Sequence, residues 1–268
     1  MYKLIAIDMD GTLLREDKTI SDRTKKAIQM AHEKGVKVVL ASGRPIEGLE
    51  RYLKELNLCS EEDYVLSYNG SVVQNVGTRE VIAQSALKGK DLKYLYELAQ
   101  KLGVNIHAFS KEGCITPKIN EYSLVEGRIN GIDVKEVDYD TIDMDEDIIK
   151  IMMVDPEEIL EEAIKNLPPE VYEAYTVVRS APFFLEFLNK ASGKAVGVKA
   201  LSEHLDIQRE EVMCIGDAGN DLDMIEFAGL GVAMGNAFEE VKKAADYITA
   251  SNEEDGVAEV IEKFITMS

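Results

Sequence analysis

Tryptophan is absent from this chain, and cysteine and histidine occur only three times each. Cys59, Cys114 and Cys214 are odd in number and widely spaced, so they offer neither a disulfide framework nor a paired metal site, and they suit a reducing, cytoplasmic setting. Cys214 falls inside the apolar run Val212-Met213-Cys214-Ile215, where a thiol packs as a small hydrophobe. No apolar run approaches the ~18 residues of a membrane-spanning helix. The N-terminus passes straight into a strand-like segment without a signal-peptide pattern, so a cytoplasmic protein is expected. Basic residues are also scarce, with 30 Lys and Arg against 50 Asp and Glu and a net charge of -20. That excess argues against nucleic acid or an anionic membrane as partner, and any anion site must carry its own local cations. Two phosphate-binding motifs are missing. Gly193-Lys194 has no glycine five positions before Gly193 and no Ser or Thr after the lysine, so it is no P-loop. Gly229, Gly231 and Gly235 straddle a strand instead of opening a helix after one, which excludes a dinucleotide fingerprint.

What is present is an ordinary globular composition, 46% hydrophobic and 30% charged over 268 residues, enough for one or two domains. Lys3-Leu4-Ile5-Ala6-Ile7 reads as a buried strand that ends in Asp8-Met9-Asp10-Gly11-Thr12. Two carboxylates at a buried strand end are costly without a partner, so a cation, most simply a metal ion, is expected between Asp8 and Asp10. A bare pair of this kind is often only a polar turn. Here the passage from apolar strand to polar turn recurs. Ser21 is a suitable N-cap for a helix ending near Lys34 and Gly35, and Val36–Leu40 is a second strand running into Ala41-Ser42-Gly43-Arg44-Pro45. A hydroxyl and flexible backbone before a helix start make an anion cradle. A third strand, Tyr64–Tyr68, meets Asn69-Gly70, a strong type I′ hairpin signal for which a structural role suffices.

From about Ser85 the pattern changes to mixed helices and strands without strand-end carboxylates. Helices are expected over 90–103, near 120–129 and from Pro156 to Pro168-Pro169. Strands are expected at 104–109, 113–116, 148–154, 172–179 and 183–188. This reads as an α+β module inserted in the main fold. The acidic stretch Asp138–Asp147 lacks the glycine and spacing of a calcium loop and reads as a solvated loop. Strand ends then return: a helix opens at Ser192-Gly193-Lys194, Val212–Ile215 ends in Gly216-Asp217-Ala218-Gly219-Asn220-Asp221, and Leu230–Met234 ends in Gly235-Asn236-Ala237. Alternating strands and helices imply an α/β fold with a doubly wound parallel sheet, whose ligands bind at the carboxyl ends of the strands.

Asp8, Asp10, Asp217 and Asp221 supply hard oxygen donors of the kind magnesium prefers, and magnesium in turn suits a phosphoryl substrate. His32, His107 and His204 read as structural. With no Ser-His or Cys-His pair evident, a carboxylate is the available nucleophile, and an acid–base residue two positions on can serve the leaving group and then a water. Lys194 and the Ser42 hydroxyl can hold phosphate oxygens.

Asp8-Met9-Asp10-Gly11-Thr12, Ser42, Lys194 and the 216–221 turn stand in the order of the four haloacid dehalogenase (HAD) superfamily motifs. An insert between the second and third resembles the C2-capped branch. Ala41–Pro45, Tyr68-Asn69-Gly70, Met234–Ala237 and Ser251–Ala258 resemble the Cof-type sugar phosphatases, and the likeness spans the chain, more weakly in the insert. It implies a Rossmann-like HAD core over 1–84 and 189–268 with a C2 cap for substrate specificity over 85–188, hinged near 83–86 and 187–191. It implies Asp8 as nucleophile and Asp10 as general acid/base. Mg²⁺ would be held by Asp8, Asp217 and the Asp10 carbonyl, with Asp221 supporting. Phosphate would lie on the Met9 backbone, Ser42, Gly43, Lys194 and Asn220. Ala195 stands where relatives commonly carry glycine. The activity so implied is Mg²⁺-dependent hydrolysis of small phosphate esters, sugar phosphates foremost. A phosphomutase and a non-catalytic phospho-ligand sensor are the alternatives. Asp10 separates the phosphatase reading from dehalogenases, which lack that aspartate.

Overall fold

In the computed structural model, which describes residues 1–266, the opening apolar run folds as β1 (Leu4–Asp8), buried at every position. Helix α1 (Asp22–Glu33) starts where Ser21 Oγ accepts the Thr24 amide at 3.1 Å, and Gly35 beyond its end has a φ of 80°. Next come β2 (Lys37–Ala41), a 3₁₀ turn after Pro45, α2 (Glu50–Glu55), β3 (Tyr64–Ser67), β4 (Val72–Asn75) and β5 (Val81–Gln84). The inserted stretch contains β6 (Leu87–Lys88), α3 (Gly89–Leu102), β7 (Asn105–Ser110), β8 (Gly113–Thr116), α4 (Glu121–Asn130), β9 (Val134–Glu136) and β10 (Asp147–Val154). It continues through α5 (Glu157–Lys165), α6 (Pro169–Ala174), β11 (Tyr175–Ala181) and β12 (Phe184–Asn189). The chain closes with α7 (Lys194–His204), β13 (Val212–Gly216), α8 (Leu222–Phe227), β14 (Leu230–Ala233), α9 (Glu239–Ala244), β15 (Tyr247–Ile248) and α10 (Gly256–Ile261).

Residues 1–84 with those from 193 onward form one compact unit, and Ser85–Ser192 form another. In the first, among the described residues, eight strands run in the order β15-β14-β13-β1-β2-β3-β4-β5. Pairing is parallel from β15 to β3 and antiparallel beyond. Successive side chains of β1 enter opposite cores. Ile5 and Ile7 pack with Val38, Leu40, Met213 and Ile215 beneath α1 and α10, while Leu4 and Ala6 pack with Val39, Val212 and Cys214 beneath α7 and α8. Apolar burial on both faces is what a doubly wound sheet requires, and each fully buried Ile or Leu contributes about 1.5–3 kcal/mol. The chain leaves β1 toward β2 on one side and returns through β13 on the other. That reversal of strand order opens a crevice at the carboxyl ends of β1 and β13, where Asp8 and Asp217 lie.

The inserted unit has a sheet in the order β11-β12-β10-β7-β8-β9, with β6 paired to β10. Ile106, Ala108, Ile151, Met153 and Phe187 line one face against Leu92, Leu95, Ala99 and Leu160 of α3 and α5. Among the described residues, no helix is long and apolar enough to cross a membrane.

Two local expectations change. Residues 172–174 lie in α6, not in a strand, because Pro169 fits the first position of a new helix. The Asn69-Gly70 turn is not a two-residue type I′ hairpin. Ser67 pairs with Val72, and Tyr68, Asn69 and Gly70 have successive φ values of 51°, 55° and 78°. The longer loop presses Gly70 onto the start of α7, where an added Cβ would stand 2.4 Å from the Gly193 carbonyl oxygen. Gly70→Ala is therefore expected to cost about 2–4 kcal/mol in urea unfolding, from a left-handed backbone and a backbone clash together. Gly35→Ala has a similar φ and open space around the new methyl, and should cost only about 1–2 kcal/mol. Equal losses in the two variants would remove the packing argument.

Candidate active site

The end of β1 delivers Asp8 to the crevice with only 6% of its surface exposed. Lys194, the first residue of α7, is fully buried, and its Nζ donates to Asp8 Oδ1 and, at 2.6 Å, to Asp221 Oδ1. The other oxygen of Asp221 accepts the Asp217 and Ala218 amides at 3.0 Å each, so both of its oxygens are already engaged. Asp217 accepts the Thr12 hydroxyl at 2.7 Å. It approaches so closely because residue 11 is glycine. With φ at 89°, a Cβ on Gly11 would sit 2.4 Å from Asp217 Oδ2.

Asp8, Asp217 and Asp221 offer oxygens within 4.8 Å of one another. One ammonium lies among three carboxylates, and the surplus negative charge is visible in the proton affinities of Asp8 and Asp217. Burial, then repulsion from Asp221, pushes Asp8 up to about 8 against the pull of Lys194. Burial also lifts Asp217, to about 6, with Asp221 adding to the rise against the Thr12 hydrogen bond. Burial alone would lower the Lys194 ammonium, but Asp221 and Asp8 outweigh it and hold it above its ordinary range. Hard oxygen donors with uncompensated negative charge fit a divalent cation. Asp8 and Asp217 have the capacity to ligate it, with Asp221 behind them.

Asp10 stands apart from this group. Its carboxylate is 42% exposed and accepts Arg44 Nε at 3.0 Å, Arg44 Nη2 at 2.8 Å on each oxygen, and Lys18 Nζ at 2.7 Å. Burial raises its proton affinity, but Arg44 and Lys18 together win and hold it below the ordinary carboxylate range. Each aspartate of the opening turn thus has its own cationic side-chain partner, Lys194 for Asp8 and Arg44 with Lys18 for Asp10.

Ser42, Gly43 and Asn220 converge on Asn69. The Met9 side chain lies in the core, leaving only its backbone for the crevice. Ser42 is buried, its Oγ accepts the Arg44 amide at 3.2 Å, and its carbonyl accepts the Asn69 amide at 2.8 Å. Asn69 Oδ1 accepts Asn220 Nδ2 at 3.0 Å, and a Cβ on Gly43 would lie 3.1 Å from Asn69 Nδ2. Asn69, read from sequence as a plain turn, links the Ser42 and Asn220 turns. The signal that finds it is its place after β3, at the same strand edge as the others. Asn236 and Asn252 brace the Asp8 turn from the far side. Asn236 Nδ2 donates to the Gly11 carbonyl at 2.8 Å, and Asn252 binds Asn236 Oδ1 at 3.0 Å and the Leu14 carbonyl at 2.9 Å. Ala195 fits the first turn of α7, its amide 3.3 Å from Asp223 Oδ2. The crowded glycine of that helix is Gly197, whose Cβ would stand 3.1 Å from Gly70 Cα. His32 pairs with Asp63 at 3.0 Å, His204 lies edge-on to Tyr64, and buried His107 contacts Met152 Sδ at 3.2 Å.

A family model described as haloacid dehalogenase-like hydrolase matches residues 5–261. The chain belongs to that family. Among relatives of this haloacid dehalogenase-like hydrolase is a candidate phosphatase of Bacillus subtilis, YxeH, 46% identical over 99% of both chains. A solved haloacid dehalogenase-like hydrolase from Bacteroides thetaiotaomicron superposes with a TM-score of 0.88 at 38% identity, covering 99% of this chain and 100% of the other. The HAD subclass IIB sugar phosphatase BT4131 gives a TM-score of 0.80 at 29% identity over 98% of each chain. As a haloacid dehalogenase-like hydrolase with phosphatase relatives along its length, the protein is a phosphoric monoester hydrolase.

The charge surplus predicts how stability responds to pH. Unfolded, Asp8 loses its proton near 3.8, whereas folded it keeps it to about 8, and Asp217 to about 6. Between these limits the folded state binds more protons, so stability falls as pH rises from about 4 to about 8. In EDTA the urea midpoint should be lower at pH 8 than at pH 5. Asp8→Asn should flatten that slope, and magnesium chloride should recover the midpoint at pH 8. An unchanged slope in Asp8→Asn would overturn the assignment.

Proposed function

We propose that the protein is a Mg²⁺-dependent phosphatase of small phosphorylated metabolites, foremost sugar phosphates, acting through an aspartyl-phosphate on Asp8. The observation that carries this reading is Asp8 held by Lys194 beside Asp217 and Asp221 at the carboxyl edge of a parallel sheet. The sugar-phosphate preference is supported by the likeness to the solved sugar phosphatase.

Asp8 and Asp217, with the Asp10 main-chain carbonyl, would hold the Mg²⁺, and Asp221 would support them. When bound, the ion would neutralise phosphate charge. The Met9 and Gly43 backbone, the Ser42 hydroxyl, Lys194 and Asn220 would orient the phosphate oxygens. Ionised Asp8 attacks phosphorus, forming an acyl phosphate as the bond to the alcohol oxygen breaks, and Asp10, once freed from its cations and protonated from solvent, gives that oxygen a proton. Asp10 then takes a proton from water as the water attacks phosphorus, which breaks the acyl–phosphate bond and restores Asp8. This proton duty requires Asp10 to leave Arg44 and Lys18. The inserted unit, Ser85–Ser192, would act as the specificity cap, joined to the core by the two crossings at 84/85 and 192/193.

Purified protein should release inorganic phosphate from p-nitrophenyl phosphate and from sugar phosphates with Mg²⁺ and stop in EDTA. Asp8→Asn should lose about 10³-fold or more, and Asp10→Asn about 10²–10⁴-fold on alkyl phosphates, whose leaving group needs a proton. Full activity in Asp8→Asn would sink the covalent route, and retained phosphate on an isomerised sugar would favour a mutase.

A further inference from the structure

We propose that Arg44 and Lys18 form a second anion subsite, which takes a carboxylate or second phosphate on the alcohol part of the substrate in exchange for the Asp10 carboxylate. The proposal rests on the phosphatase reading and narrows its substrate class to phosphate esters that carry a further oxyanion.

Two cations converge on one carboxylate here, in a chain whose net charge is -20. The neighbouring group has the opposite imbalance, one ammonium among three carboxylates. Both residues have backbone contacts that do not involve Asp10, and the Arg44 guanidinium has a ring contact as well. The Arg44 amide donates to Ser42 Oγ at 3.2 Å, its carbonyl accepts the Tyr68 amide at 3.0 Å, and its guanidinium lies 5.9 Å from the Tyr52 ring centroid. The Lys18 amide donates to the Arg15 carbonyl at 2.9 Å, and its own carbonyl accepts the Tyr52 hydroxyl at 3.4 Å. Tyr52 therefore supports the Arg44 guanidinium and the Lys18 backbone, which keeps both residues at the site when Asp10 departs.

The pairing is also open to exchange. Lys18 and Asp10 side chains are 49% and 42% exposed, and ion pairs this exposed are weakly held. Arg44, at 17% exposure, presents a planar fork that matches any carboxylate or phosphate in two-point fashion. When Asp10 moves to its proton-transfer duty, the two cations lose their counter-charge. A substrate oxyanion restores it, one anion leaving as another arrives. Such a substrate binds best to the arrangement in which Asp10 is free, so it shifts the population toward the working state. A neutral sugar cannot do this.

The test compares matched esters: 3-phosphoglycerate with glycerol 3-phosphate for a carboxylate, and fructose 1,6-bisphosphate with fructose 6-phosphate for a second phosphate. Wild-type kcat/KM should favour the anionic member of at least one pair by about tenfold, equivalent to about 1.4 kcal/mol, and the favoured pair tells which oxyanion the subsite takes. In Arg44→Gln and in the more exposed Lys18→Gln the ratio should fall toward one, while Lys199→Gln on the outer side of α7 keeps it. A wild-type ratio near one in both pairs, or a preference that survives in both variants, overturns the proposal. Calorimetric binding of the same ligands to Asp8→Asn protein reads the preference without turnover. If p-nitrophenyl phosphate is not cleaved, the phosphatase reading fails by itself, and the calorimetric ratio still decides the subsite.

Discussion

The buried ammonium of Lys194 organises the carboxyl edge of the eight-stranded sheet. Lys194 joins Asp8 on the first strand to Asp221 in the turn after β13, and Asp221 in turn takes the amides of Asp217 and Ala218. Breaking such a pair by removing one partner leaves an uncompensated buried charge, which is far costlier than losing a surface contact. The helix that carries Lys194 must start where it does, and the close packing of Gly70 and Gly197 is what lets it. The fold thus concentrates charge at one sheet edge and tolerates it because each carboxylate has a defined hydrogen-bond partner.

The two aspartates of the opening turn sit in contrasting surroundings only two residues apart. β1 ends at Asp8, and the turn that follows takes Asp10 out of the strand's i, i+2 alternation, so Asp8 faces the buried group and Asp10 turns to Arg44 and Lys18. One is pushed toward protonation by burial, and the other is held ionised by its cations. This separation is the reverse of what the proposed roles need at the moment of reaction, so a divalent cation beside Asp8 and release of Asp10 from Arg44 and Lys18 would both have to precede it.

Much of this was legible in the sequence, for a physical reason. A polar break at the end of an apolar run marks the carboxyl edge of a buried strand, and that rule located Asp8, Ser42 and Asp217 together. Doubly wound topology followed from strands alternating with helices, and Ser21 and Gly35 mark the limits of α1 through local hydrogen bonding alone. Asn69 escaped because Asn-Gly is also the strongest hairpin signal, and only the loop's contact with α7 reveals why it is longer. The Arg44–Asp10 pairing escaped because it depends on side-chain direction and on a tyrosine support eight residues further along. The helix over 172–174 escaped because the second proline looked like a stop and is in fact a start.

The position of β1 at the centre of its sheet has a consequence for the order of events on the ribosome. Asp8 is made before the inserted unit, but Lys194, Asp217 and Asp221 arrive only after the whole of that unit has been synthesised. Until then β1 has β2 on one flank and nothing from β13 on the other, and its terminal carboxylate has no ammonium to meet. The insert, with its own core and sheet, can fold while the first segment waits. Closure of the crevice therefore joins β1, made before the insert, to β13, made after it.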